Sequence, residues 1–352
     1  MEKLIDLLGD TGTLALSGVL VGILFGATAQ KSHFCLRAST VEVAEGEFGP
    51  RLAVWLVAFT SALTLVQGFV WLEWLDLSDT RAIASTGSLS GALIGGLMFG
   101  VGMVLARGCA SRLLVLASCG NLRALVTGLV LTLVAQAAYT GVLSPVREVI
   151  SGLWTVSGGS GRDLSAILGL SPLAYTVLAA LGWVLALMFA SHRDVSAINS
   201  ASAAGVGVAV ALGWLMTFAI AQSSFEVVPV SSVTFTGPAT DTLMALVAER
   251  NVALSFGLGL VPGVAIGAAT SALLLREWKI ERFGQDTPME RYLVGAVMMG
   301  FGAMLAGGCA VGAGLSGGAA LSLTAWLAVF SMWVGAVSAH RLIVRIPALQ
   351  RS

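Results

Sequence analysis

Sixteen residues, Gly95 to Ala110 (GGLMFGVGMVLARGCA), return 200 positions later as Gly295 to Ala310 (GAVMMGFGAMLAGGCA). Nine positions are identical without a gap: Gly95/Gly295, Met98/Met298, Gly100/Gly300, Gly102/Gly302, Leu105/Leu305, Ala106/Ala306, Gly108/Gly308, Cys109/Cys309 and Ala110/Ala310. A glycine-biased apolar chain yields glycine matches by chance. It does not readily yield a Gly-Cys-Ala tripeptide in register with them. The stretch reads as an internal repeat of a whole structural unit, with a cysteine closing each copy.

What the unit is follows from polarity. Of 352 residues, 57% are hydrophobic and 11% charged, with mean hydropathy +0.90. Soluble domains carry about 25% charged residues. The chain is therefore an all-α integral membrane protein, because lipid offers backbone N–H and C=O groups no partner. About nine spans are expected, roughly at 11–30, 51–71, 89–107, 122–143, 173–190, 203–222, 251–275, 292–307 and 322–340. The start, MEKLIDLLGD, lacks a basic n-region, so no cleavable signal peptide is expected. Net charge is zero, which gives no argument for nucleic acid. There is no CxxC and only three scattered histidines (His33, His192, His340), so neither a metal nor a haem cofactor is expected.

Lysine and arginine set the orientation. With the N-terminus outside, 14 of the 19 basic residues fall inside: Lys31, Arg37, Arg51, Arg107, Arg112, Arg123, Arg193, Arg276, Lys279, Arg282, Arg291, Arg341, Arg345 and Arg351. Lys3, Arg81, Arg147, Arg162 and Arg250 fall outside. The N-terminus is thus expected in the periplasm and the C-terminus in the cytoplasm. The repeat copies lie on the third and eighth spans, so they run in opposite directions. AQKSHF (Ala29–Phe34) echoes AQSSF (Ala221–Phe225) on the first and sixth. This predicts an inverted-topology repeat: 1–143 as the first unit, 144–202 as a connector with one span, 203–352 as the second. Such proteins bind substrate between the repeats near the bilayer midplane.

Gly18, Gly22 and Gly26, like Gly259, Gly263 and Gly267, form small-residue faces that suit helix contact. GCASRLLVLASCGN (108–121) and GGCAVGAGLSGG (307–318) are short runs bounded by glycine and read as re-entrant half-helices. The outer loops 144–170 and 223–248 contain Trp154 and Phe235 as candidate interface aromatics. The charged loop 276–291 reads as a solvated connector.

A helix start presents unpaired N–H groups and partial positive charge, which suits an anion. Gly108 and Gly308 would let the backbone turn there and approach a ligand. Cys109 and Cys309 add soft sulfur and a weak S–H donor, fitting a small anion that itself contains sulfur or selenium. A thiolate would repel it, so neutral thiols and no covalent intermediate are expected. Cys35, in KSHFCLRAS, has a weaker case from its residues alone. Cys119 meets Ala319 in the second copy and reads as packing. Arg107 and Arg112 flank Cys109, and two readings stand open: path residues at membrane depth, or cytoplasmic anchors. Arg123 reads as an anchor. Gln30 and Gln222, matched between repeats, line the path or bond across helices, with the structural role favoured.

FGATAQKSHFCLRAS, GMVLARGCASRLLVLASCGNLRAL and GAMLAGGCAVGAGLSGGAALS together resemble the YeeE/YedE family of bacterial membrane proteins, in order and over most of the chain. The resemblance implies an hourglass-shaped helical fold of inverted repeats with short re-entrant helices. It implies import of thiosulfate, or of a related sulfur or selenium species, across the inner membrane. It also implies three cysteines passing the anion along a narrow path by S–H hydrogen bonds; these fall on Cys35, Cys109 and Cys309. Some members work with a small soluble cytoplasmic sulfur-carrier protein; no such domain is expected within this chain. Cys119 and the two arginines of ARGCASRLLVLA depart toward the YedE side, for which selenium transport is suggested. The competing reading from another class is a membrane-embedded sulfurtransferase, but no clear base or metal site accompanies the cysteines, and no enzyme is expected. A structural scaffold would make cysteine replacement silent. The spans hold no Asp or Glu of the kind proton coupling often uses, which leans toward a facilitated route.

Overall fold

The computed structural model describes residues 2–247, 254–282 and 289–345. Arg250 and Arg351 lie outside them. The helices, in order, are α1 (Glu2–Lys31), α2 (Leu36–Ala44), α3 (Pro50–Trp71), α4 (Arg81–Ala84), α5 (Leu89–Leu105), α6 (Ala110–Ser118), α7 (Leu122–Tyr139) and α8 (Ser144–Gly152). Then come α9 (Leu164–Leu168), α10 (Pro172–His192), α11 (Ala197–Ser223), α12 (Thr236–Val247), α13 (Phe256–Leu274), α14 (Met289–Ala306) and α15 (Leu323–Arg345). A short π-helical segment, Gly312–Gly317, lies between the last two. Two-residue strands, Gly87–Ser88 and Thr155–Val156, pair antiparallel.

Among the described residues, eight helical segments are long and apolar enough to cross a membrane, among them α1 continued by α2 and α5 continued by α6. α14 carries Glu290 and Arg291 at its start, which dilutes its apolar character. With it, each expected span falls on a helix. The starts are set by local chemistry: Ser88, Asn121, Ser171, Ser196 and Ser255 each cap a helix by accepting a backbone N–H.

The packing is backbone on backbone. On α5 and α14 the repeated glycines meet reciprocally. A Cβ on Gly95 would lie 2.6 Å from the Gly302 carbonyl oxygen, and one on Gly302 2.8 Å from that of Gly95. Gly102 and Gly295 stand in the same relation at 2.6 and 2.7 Å. Early residues of one helix meet late residues of the other, so the two copies are antiparallel, as the inverted repeat requires. The α1 stripe, Gly18, Gly22 and Gly26, faces Phe256, Leu260 and Val264, while Gly259, Gly263 and Gly267 face Ala15, Val19 and Ile23.

Contacts recur with partners exchanged. α1 packs on α13 as α11 packs on α3, and α5 packs on α15 as α14 packs on α7. α2 lies against α3 and α15 as α12 lies against α13 and α7. α6 lies against α7, α13 and α1 as the π segment lies against α15, α3 and α11. α10 packs chiefly on α3 and has no such counterpart.

Two readings of the loops change. The charged loop 276–291 is solvent-exposed over 276–280, as expected, but 276–282 also forms a strap over the end of α6; 283–288 lie outside the described residues. The Glu281 N–H donates to the Gly120 carbonyl at 3.0 Å, and the Leu122 N–H to the Glu281 carbonyl at 3.1 Å. Asn121 Nδ2 donates to the Glu281 carboxylate, which Lys279 and Arg123 also pair with at 3.0 and 3.6 Å. The Lys279 ammonium, first, holds the Glu281 carboxyl below the usual range. At the other end Arg162–Leu164 clasp the turn after the π segment: Leu323 N–H donates to the Arg162 carbonyl at 2.8 Å, Leu164 N–H to that of Leu321 at 2.9 Å. Phe235 is not an interface aromatic; it is buried and packs on Phe25, ring centroids 5.0 Å apart. Trp154 is exposed.

A side chain between α5 and α14 must push two backbones apart. Gly102→Val and Gly295→Val are each expected to cost roughly 1–3 kcal/mol as an overpacking strain. Both would lower the melting temperature of the purified protein. Gly152→Ala, where an added Cβ meets nothing within 4 Å, is expected to leave it unchanged.

Candidate functional site

Three of the long helices end in the same way. α1 ends with His33 in the left-handed region (φ 52), α5 with Arg107 (φ 56), and an interrupted α14 with Gly307 (φ 78). In each case the next N–H reaches back five residues: Phe34 to the Ala29 carbonyl at 3.1 Å, Gly108 to Met103 at 3.1 Å, Gly308 to Ala303 at 3.0 Å. These are Schellman closures, which satisfy carbonyls a broken helix would leave bare. The residue after each closure is a cysteine.

Each cysteine then starts the next short helix. Cys35 is the N-cap of α2 and Cys109 the N-cap of α6, both in extended backbone. Cys309 takes the equivalent place. Its carbonyl accepts the Ala313 N–H at 2.8 Å, and its Sγ accepts the Gly312 N–H at 3.4 Å. The chain thus reads helix, left-handed residue, one residue, cysteine, short helix, three times. Gly108 and Gly308 were expected to make the turn; the turn is made one residue earlier. The first copy makes it with an arginine, at a strain of order 1–2 kcal/mol that glycine avoids.

The sulfurs fall into two groups. The Cys35 and Cys109 thiols are neighbours. Cys109 Sγ also lies 3.3 Å from Ser111 Oγ. Cys109 and Cys309 are buried and Cys35 is half-buried. Cys119 sits at the far end of α6, where its thiol faces the Ala268 carbonyl at 3.8 Å, a packing contact away from the other three. All four are free thiols.

Arg112, on the first turn of α6, donates to Gln30 Oε1 at 3.4 Å, and Gln30 Nε2 donates to Glu277 Oε2 at 3.0 Å. A buried glutamine therefore joins a cation beside Cys109 to a carboxylate of the strap. Gln222 is exposed at the end of α11 and is not gathered with the other residues. Arg107 is exposed; Arg37 and Arg291 are half-buried, and each buries an Nε without a partner.

A cavity of about 250 Å³ lies on the Cys309 side of the molecule, bordered by the two residues before that cysteine and by Thr234, whose Oγ1 is 4.0 Å from its sulfur. Arg81, Arg147, Tyr139 and Thr234 line it, Asp241 stands at its wall, and Gly307 and Gly308 form part of its floor. The three cysteines at the starts of short helical segments therefore lie between arginines on both sides. The donors gathered there are backbone N–H groups, thiols and hydroxyls, a chemistry that suits a small anion. Among the described residues no cluster of His, Cys, Asp and Glu could hold a metal ion.

A family model described as sulphur transport matches residues 31–338. Over 327 residues the chain is 29% identical to a Spirochaeta thermophila protein named thiosulfate transporter TsuA, covering 89% of this chain and 94% of that one. Over 345 residues it is 25% identical to an Escherichia coli protein of the same name, covering 94% and 95%. The matched segment runs from before Cys35 to beyond Cys309, so all three cysteine turns lie inside it, and the chain belongs to the sulphur transport family.

Proposed function

We propose that this protein carries thiosulfate, or a closely related small sulfur anion, inward across a bacterial inner membrane by way of Cys309, Cys109 and Cys35. The observation that carries this reading is the threefold recurrence of a cysteine at the start of a short helix, directly after a helix reversal. The N-terminus faces the periplasm and the C-terminus the cytoplasm, following the lysine and arginine bias. Residues 1–143 and 203–352 act as the inverted units and 144–202 as the connector, in keeping with the exchanged helix contacts.

Magnitudes limit how the path works. A bare ion in a medium of ε about 4 loses tens of kcal/mol. A hydrogen bond to a charged group returns about 1.5–3 kcal/mol. Three thiols cannot offset full dehydration over a long dry path. The cysteines therefore act across a short neck between wetter, cationic mouths. Arg81 and Arg147 serve the outer mouth, Arg107 and Arg112 the inner one. Backbone N–H groups at the helix starts, which follow the reversals at Arg107 and Gly307 and come after Gly108 and Gly308, supply fixed positive potential. The thiols stay neutral and donate S–H, so the anion crosses intact and no enzymatic step is involved. Gln30 holds Arg112 in place. A soluble cytoplasmic sulfur carrier is a fitting recipient at the inner mouth.

Uptake of labelled thiosulfate into cells without other sulfate or thiosulfate importers tests this. Cys35→Ala, Cys109→Ala and Cys309→Ala are each expected to lower uptake about tenfold or more, matching one lost hydrogen bond to an anion. Cys119→Ala is expected to keep it. Normal expression with no uptake by the native chain would defeat the thiosulfate reading. A persulfide trapped on Cys109 or Cys309 during turnover would turn the reading toward sulfur transfer.

Glu277 tempers Arg112 through Gln30. Removing that charge leaves the cation freer to hold an anion. Glu277→Gln is expected to lower both the half-saturating thiosulfate concentration and the maximal uptake rate; a change in neither would detach the strap from the path.

A further inference from the structure

The exchanged contacts place α12 in the second half of the chain where α2 stands in the first. α2 begins at Cys35, whose thiol faces Cys109. Before α12 there is no cysteine. The residue that reaches toward Cys309 there is Thr234, with its Oγ1 4.0 Å from the Cys309 sulfur. Thr234 is half-buried, and Cys309 is its one side-chain hydrogen-bond partner among the described residues. It also lines the outer cavity together with Gly307 and Gly308. Gly312 keeps the place open: a Cβ there would collide with the Thr234 hydroxyl.

The two ends of the path therefore differ in chemistry. One presents thiol against thiol, the other thiol against hydroxyl. A hydroxyl is the harder donor and matches oxygen; a thiol is soft and polarizable and matches sulfur. Thiosulfate carries both kinds of acceptor, three oxygens and one terminal sulfur. A site that offers one donor of each kind can fix which end of the ion points inward.

We propose that Thr234 is a substrate-positioning residue at the outer end of the path, donating its O–H to an oxygen of the sulfur anion whose terminal sulfur meets Cys309. The proposal rests on the transport reading above and adds to it a fourth station, where the anion is oriented before it enters the neck. Sulfate, all oxygen, would engage Thr234 but offer nothing soft to Cys309, so the pair discriminates as well as orients.

The test uses full-length protein in proteoliposomes and initial rates of labelled thiosulfate uptake over a range of concentrations. Thr234→Val keeps the shape and removes the donor. It is expected to raise the half-saturating concentration about tenfold, the loss of one hydrogen bond to an anion, with the maximal rate changed much less. Thr234→Ser restores the donor and is expected to return the native value. A role in packing alone would be met by valine, so native kinetics in Thr234→Val overturn the proposal. Should that variant express poorly, Thr234→Ser and Thr234→Ala decide, since a loss of affinity shared equally by both also overturns it. Cys309→Ala is run alongside. Its normal uptake would sink the cysteine path itself, whereas lost uptake there with native kinetics in Thr234→Val sinks only the fourth station.

Discussion

A helix that stops inside a membrane leaves carbonyls with nothing to bond. The protein meets that constraint three times by folding the last N–H groups back over the helix end. The left-handed residue this needs is His33, Arg107 or Gly307. Once the reversal is made, the next residue is extended and becomes the start of a new helix. The cysteines occupy those positions. Their thiols are presented beside fresh helix starts because the backbone had to be closed there.

The reversals are held in place by glycine contacts elsewhere. α5 and α14 touch backbone to backbone at Gly95, Gly102, Gly295 and Gly302. That contact sets where Arg107 and Gly307 come off the helix ends. The straps then fix the far ends of the short helices: 276–282 over α6, and Arg162–Leu164 over the turn after Gly317. α6 and the π segment are thus each pinned at both ends, one by a helix reversal and one by a loop from another part of the chain.

Much of this is legible in the residues. The repeat, the spans, the opposed directions and the two glycine stripes all appear in the fold because each depends on residue type at short spacing. The third cysteine turn was not legible from residues alone. His33-Phe34-Cys35 shares no letters with Gly307-Gly308-Cys309 except the cysteine, although the two backbones turn alike. A left-handed residue is usually glycine, and histidine and arginine conceal it. The strap is not legible from residue types either. Its charges look like a solvated loop, and only the fold brings Glu281 to Asn121 and Glu277 to Gln30. Phe235 was misplaced for a related reason: its polar neighbours suggested a surface, while Phe25 receives it in the core.

The inner mouth shows how such a path can let go of what it attracts. Conduction requires binding that is favourable enough to admit an ion and weak enough to release it. An uncompensated arginine beside Cys109 would be a trap for a dianion, since at short range in a poorly hydrated site the attraction is several times that in water. Arg112 is not paired directly with a carboxylate, which would cancel it. It faces the Gln30 carbonyl, and the Glu277 carboxylate stands one hydrogen bond further out. The glutamine passes on part of the negative charge and keeps the rest at a distance. On the transport reading proposed above, a cation graded in this way would still draw an anion past Cys109 without holding it as a bare arginine would.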